Sequence, residues 1–207
     1  MAESNPNSRL EAFCDGVFAI ALTLLVIDIK LPSDLPITNT AQFWDALASM
    51  APIVFAFLLS FIVILISWVN HRTALKLVKG SSPAFIYANG FLLLTVVFLP
   101  FPTALMGEFL FTDHAAPAVI LYDAVMAFQT VGWILLSKTA RAGGLAKNDQ
   151  AAEAAVRNLR YAYFAFVLYA LLAVLAWWFP LAIAGVTALI WLFWLVYGIR
   201  ENTQLFG

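Results

Sequence analysis

Three ionisable side chains, Arg9, Glu11 and Asp15, crowd just ahead of twelve uncharged residues, Gly16 to Ile27. Charges at the edge of an apolar helix are costly unless they find partners, so this cluster calls for neighbours on other elements. At about 100° per residue, Gly16, Ile20, Thr23 and Ile27 share one narrow face of that helix. Such a stripe can either pack against another helix or line a path for an ion. Spacing alone favours the packing seam, because small and branched apolar residues mixed with a hydroxyl are what helix interfaces in membranes use.

Arg9 and Asp15 stand six apart and so lie on different faces, which suits them to hold different neighbours. Trp68 and His71 stand three apart on one face, where an indole donor and an imidazole can reach the same neighbour. Taken singly, Trp68 also reads as an interfacial anchor and His71 as an interface residue beside Arg72. Asp123 is an isolated acid within an apolar run, which marks it either as a functional site or as a side chain that snorkels to the outer face or is protonated. Tyr122-Asp123 resembles one half of an intramembrane aspartyl protease pair, but no GxGD-like second half is present, and no enzymatic activity is expected. No metal site is expected either, since His71 and His114 fall on opposite sides of the membrane by the topology below and no cysteine or carboxylate cluster has ligand spacing. Trp133, Trp177, Trp178, Trp191 and Trp194 suit lipid-facing belts.

The elements that must carry these residues are membrane helices. Of 207 residues, 63% are hydrophobic and 11% charged, and the mean hydropathy is +0.91, whereas soluble domains carry about 25% charged residues. A soluble globule is excluded. Lipid-exposed backbone must satisfy its own hydrogen bonds, so an all-α membrane protein follows. We read six transmembrane spans in one domain covering 1–207, at about 13–29, 43–69, 83–106, 115–137, 161–178 and 181–198. The first stops at Lys30, Pro32 and Pro36; Pro52 inside the second and Pro100 and Pro102 near the end of the third should bend or break their helices. A polar linker, Lys138 to Arg160, separates the fourth span from a charge-free run, Tyr161 to Ile199, which Phe179-Pro180 divides into a tight hairpin. The acidic, polar start lacks the cationic region of a signal peptide, so the first span is expected to be retained.

Of eleven basic residues only Lys30 falls on one side, while Arg9, Arg72, Lys76, Lys79, Lys138, Arg141, Lys147, Arg157, Arg160 and Arg200 fall on the other. That asymmetry predicts cytoplasmic N- and C-termini. The opposite face carries Asp28, Asp34, Asp45, Glu108 and Asp113, which either concentrate cations at an outer mouth or are indifferent to topology. A net charge of -1 gives no reason to expect nucleic acid, and the single cysteine, Cys14, can form no intrachain disulfide.

The stretch Arg9-Leu-Glu-Ala-Phe13-Cys14-Asp15-Gly-Val-Phe-Ala-Ile20-Ala-Leu-Thr23 resembles the signature, an arginine followed four residues on by Phe-Ser-Asp, that opens the first helix of the transmembrane protein 175 family, lysosomal potassium channels and their bacterial relatives. The resemblance continues through Leu24 to Pro32, through Trp68-Val-Asn-His71-Arg72, and through Leu99-Pro-Phe-Pro-Thr-Ala-Leu-Met-Gly-Glu108. It covers the first half of the chain closely and the second only in its number of spans. Cys14 departs from it, standing where the family usually has serine, a better hydrogen-bonding group.

The resemblance implies a potassium-selective cation channel of the bacterial single-repeat form. It would be a homotetramer in the bacterial plasma membrane whose first helices surround the axis, with potassium and other monovalent cations as permeants and no cofactor. No TVGYG-like filter is present, which agrees. The narrowest ring falls on Ile20, with Thr23 and Ile27 as the next two pore-lining layers, and Arg9, Phe13, Asp15, Trp68 and His71 form a network that holds the first helix. An apolar ring can gate by dewetting, and a hydroxyl ring beside it offers oxygen ligands. The competing class is a secondary transporter or proton-coupled carrier built around Asp123. The absence of charge between Gly16 and Ile27 argues against it.

Overall fold

The structure is a computed structural model that describes residues 6–31 and 37–206, with side chains as far as Val196. Pro32, Asp34, Pro36 and the side chain of Arg200 lie outside what it describes. The described chain is all helical: α1 (Ser8–Leu24) continuing as a 3-10 turn (Leu25–Asp28), α2 (Thr40–Ser49), α3 (Ala51–Lys76), α4 (Pro83–Phe98), α5 (Pro100–Phe109), α6 (Ala115–Ala142), α7 (Asp149–Leu175) and α8 (Pro180–Phe206). Five units among the described residues are long and apolar enough to cross a membrane: α1 with its 3-10 turn, α3, α4 with α5, α6 and α7. The Pro180–Val196 stretch of α8 is apolar but shorter.

Proline chemistry sets several of these boundaries. The stretch expected as one span over 43–69 is two helices, because α2 ends at Met50 and Pro52 opens α3. There its missing N–H falls among the donors that a helix start leaves unpaired. Pro100 divides α4 from α5 at Leu99, and the Val96 carbonyl that Pro100 cannot serve accepts instead from the Leu99 N–H at 3.2 Å. The region expected as a polar linker, Lys138 to Arg160, is mostly helix. Its turn is short because Gly144, at φ +58°, ends α6 in the left-handed conformation, with the Leu145 N–H reaching back to the Ala140 carbonyl at 3.0 Å. Asn148 then caps α7 by accepting the Ala151 N–H at 2.9 Å.

α6 is the most buried span and packs on α4, α5, α7 and α8, while α1 lies against α3 and α4. Phe18, Ile64, Val96, Leu99, Tyr122 and Met126 belong to the main core. A second cluster, with Leu75, Phe85, Leu92 and Leu136, fills the end where α3 and α6 finish. Helices approach closely where glycine allows it: a Cβ on Gly132 of α6 would lie 2.9 Å from the Leu92 Cα of α4. The two loops at the α3 and α6 ends are stitched by an antiparallel bridge, Lys79 N–H to Leu145 O at 2.8 Å and Lys147 N–H to Leu77 O at 3.0 Å. The side-chain amide of Asn7, just before α1, donates to the Val78 carbonyl at 3.3 Å and joins the first helix to that bridge.

Candidate functional site

α1 has two opposed faces. Cys14, Phe18, Ala21 and Leu25 recur at helical spacing and are buried against α3 and α4, Phe18 to 1% exposure. Across the helix from them, Phe13, Gly16, Ile20 and Thr23, and Ile27 beyond the α-helix, are exposed, Ile20 to 58%. A Cβ placed on Gly16 would meet nothing within 4 Å. The stripe singled out in the sequence thus lies within the broad face of the helix that the described residues leave uncovered.

Local geometry refines two of its members. The Thr23 hydroxyl donates to the Ile20 carbonyl at 2.9 Å, a bond that fixes the rotamer and leaves the oxygen lone pairs unclaimed. Ile27 sits in the 3-10 turn, not in the α-helix. Rotation of about 120° per residue there carries it further round the axis than α-helical spacing implies.

The buried face is anchored by polar contacts. The Trp68 indole of α3 donates to Asp15 Oδ1 at 2.7 Å, and the Arg72 guanidinium lies 5.8 Å from the centroid of that indole. His71 does not share this partner. Its Nε2 pairs with Asn89 Oδ1 of α4 at 2.6 Å, and the Asn89 amide donates in turn to Cys14 Sγ at 3.1 Å. With the amide nitrogen turned to sulfur, the carbonyl oxygen faces the imidazole, so His71 Nε2–H is the donor. The imidazole also contacts the rings of Phe18 and Trp133, at centroid distances of 5.4 and 6.3 Å. Three helices therefore meet at one buried chain, Cys14–Asn89–His71, with Trp68–Asp15 beside it. Among the described residues, no hydrogen bond or ion pair joins Arg9 to this group, and Arg9 and Phe13 are exposed.

Asn89 was not among the residues chosen from the sequence. Its signal was available, since an amide within the otherwise apolar run of α4 must find partners. Asp123 does not snorkel: it is fully buried at 0% exposure, and its Oδ1 accepts from the Thr187 hydroxyl of α8 at 2.9 Å. Tyr122 beside it joins Ser60 of α3, which pairs with Thr103 of α5 at 2.6 Å. These groups tie α3 to α5 and α6, and α6 to α8.

If Asp15 acts as an acceptor rather than through its charge, Asp15→Asn keeps the Trp68 bond while Asp15→Ala strands the indole. The yield of folded protein in detergent is expected to fall modestly for the alanine variant, since the bond ends on an exposed carboxylate, and to hold for the asparagine variant. Equal loss in both would assign the effect to charge.

This arrangement has a solved counterpart. The crystal structure of a lysosomal potassium-selective channel TMEM175 homologue from Chamaesiphon minutus superposes with a TM-score of 0.78 at 34% identity, over 92% of this chain and 98% of the other. The chain belongs to the TMEM175 family. The family profile described as endosomal/lysosomal potassium channel TMEM175 matches residues 9–100, the part that holds α1, Trp68, His71 and Asn89. A protein named potassium channel from Chamaesiphon minutus is 46% identical over 123 residues, 59% of this chain and 60% of its own length. Another from Streptomyces collinus is 40% identical over 137 residues, 63% of this chain and 65% of its own. The matched region thus spans about three fifths of these curated relatives. As a TMEM175 family member, the chain is an integral multi-pass membrane protein, and the family is one of ion channels, not enzymes.

Proposed function

We propose that this chain is one subunit of a homotetrameric, potassium-selective cation channel whose pore is lined by α1. The observation that carries this reading is the uncovered stripe on α1, across the helix from a face whose contacts to α3 and α4 hold the helix in place. Four such helices around an axis would bring Ile20 side chains together as a dry ring, with the Thr23 hydroxyls as the next layer and Ile27 beyond. Trp68, Asp15 and the Cys14–Asn89–His71 chain then position the pore helix from outside. Arg9 and Phe13, exposed within one chain, would complete their contacts across subunit boundaries.

The remaining features fit this frame. Six spans, with α8 as the sixth, return both termini to the basic, cytoplasmic side of a bacterial plasma membrane. Asp28, Asp45, Glu108 and Asp113 then face the opposite entrance, where they would raise the local cation concentration. Potassium is favoured because an ion crossing a narrow apolar ring must shed part of its water, which potassium does at lower cost than sodium.

Two measurements test the reading together. The purified protein should have the mass of four chains plus detergent, and liposomes containing it should pass potassium in preference to sodium. Thr23→Val keeps β-branching and volume but deletes the oxygen, so the potassium-to-sodium permeability ratio from reversal potentials should fall with the tetramer intact. A parental ratio would limit the hydroxyl to its own helix. A dimer would supply too few first helices to enclose an axis.

A further inference from the structure

A cavity of about 410 Å³ lies beneath the bridge between the α3–α4 and α6–α7 loops, lined from those loops and from α3, α4, α6 and α7. Its size is that of an ordinary small-molecule site. The volume exists because α7 opens with Ala151, Ala152 and Ala155 opposite the Leu136 and Ala140 turn of α6, so that small side chains stand where two helices would otherwise interdigitate. The walls are apolar, from Phe85 and Trp133 at the core cluster outward, and the rim is polar, with exposed Arg141 and Glu153. On α6, Trp133, Ser137 and Arg141 follow at four-residue steps, so one helix face runs from apolar wall to guanidinium in about 12 Å.

We propose that this cavity takes an acyl chain of an anionic phospholipid from the surrounding bilayer, with the lipid phosphate held at Arg141. The apolar interior calls for a hydrocarbon occupant. The sign of the head group follows from the net charge of the segments that contribute to the lining: 72–79 and 138–160 carry three and five basic residues against two acids, Asp149 and Glu153. Arg141 and Glu153 are the charged residues of the lining itself; a guanidinium can bond the phosphate of any phospholipid, but the cationic choline of a zwitterionic one is repelled by the basic surplus of these segments, which leaves the anionic head group preferred. Lys138 is directed elsewhere, its ammonium lying 5.6 Å from the centroid of the Tyr163 ring. Basic pockets between spans at one membrane face are where acidic head groups are held.

Trp133 gives the test its reporter. The detergent-purified full chain would be titrated with phosphatidylglycerol bearing brominated acyl chains, which quench tryptophan on contact, and with phosphatidylcholine bearing the same chains. The difference between parent and Trp133→Phe isolates the cavity signal from the other six tryptophans. Half-quenching of Trp133 should need about fivefold less phosphatidylglycerol than phosphatidylcholine, and Arg141→Gln should erase that preference. Ala155→Phe, which fills the cavity, should remove Trp133 quenching by either lipid; should that variant not fold, Arg141→Gln, at an exposed position, still decides. Equal quenching by both lipids in the parent would overturn the head-group assignment. Quenching that occurs only after the oligomer is dissociated would overturn the proposal in favour of a second copy of the chain as the occupant.

Discussion

Replacing Ile20 by asparagine is expected to raise monovalent cation flux and to weaken discrimination between potassium and sodium. Ile20 projects from the uncovered face of α1, 58% exposed, so its substitution removes little packing within the chain and tests the pore alone. In a fourfold ring the change replaces four branched hydrocarbon walls with amides that can hydrogen-bond water, which lowers the cost of wetting the constriction. A barrier lowered by about 1.4 kcal/mol would raise flux about tenfold. Discrimination falls for the same reason, because an ion that keeps more of its water no longer pays the dehydration difference between the two cations. Liposome flux of potassium and sodium, before and after substitution, reads both effects. Flux and ratio both at the parental level would place the constriction at another layer of α1.

Why this face was legible in the sequence while its anchoring was not is a matter of range. Gly16, Ile20 and Thr23 are related by helical periodicity within one turn or two, and the buried partners Cys14, Phe18, Ala21 and Leu25 follow from the same period. The kinks at Pro52 and Pro100 are equally local, since a missing N–H acts on its own helix. The contacts to Asn89 and Thr187 are not local. They join residues 75 and 64 positions apart in the chain, from Cys14 and from Asp123, and no period predicts which helices become neighbours. The extent of α7 was missed for another reason: a polar helix end such as Asp149 to Arg160 reads as loop when apolar content is the guide, although Asn148 and the alanines after it favour a capped helix. Ile27 illustrates the converse, a residue whose type fitted the stripe but whose backbone departs from the α-helical rotation on which the stripe was drawn.

Asn89→Leu is expected to destabilise the protein strongly while leaving the uncovered face of α1 untouched. The amide serves two buried groups at once, accepting from His71 Nε2 at 2.6 Å and donating to Cys14 Sγ at 3.1 Å. Leucine fills similar space but leaves the imidazole N–H without a partner in a site that is 1% exposed at His71, a cost of about 1–3 kcal/mol. The sulfur loses less, as a weak acceptor. Because Asn89 lies on α4, His71 on α3 and Cys14 on α1, the loss should appear as easier separation of the first helix from its support: a lower thermal midpoint and a lower yield of assembled protein. The cause can be separated from bulk by adding His71→Phe, since a phenyl ring can occupy the place between Phe18 and Trp133 without presenting a donor. Removing both partners of a buried bond is far less costly than removing one, so the double variant should recover most of the stability lost by Asn89→Leu. Additive losses in the double variant would show that leucine is simply misfitted between α1 and α3, and that the amide chain is a passenger of the packing instead of its organiser.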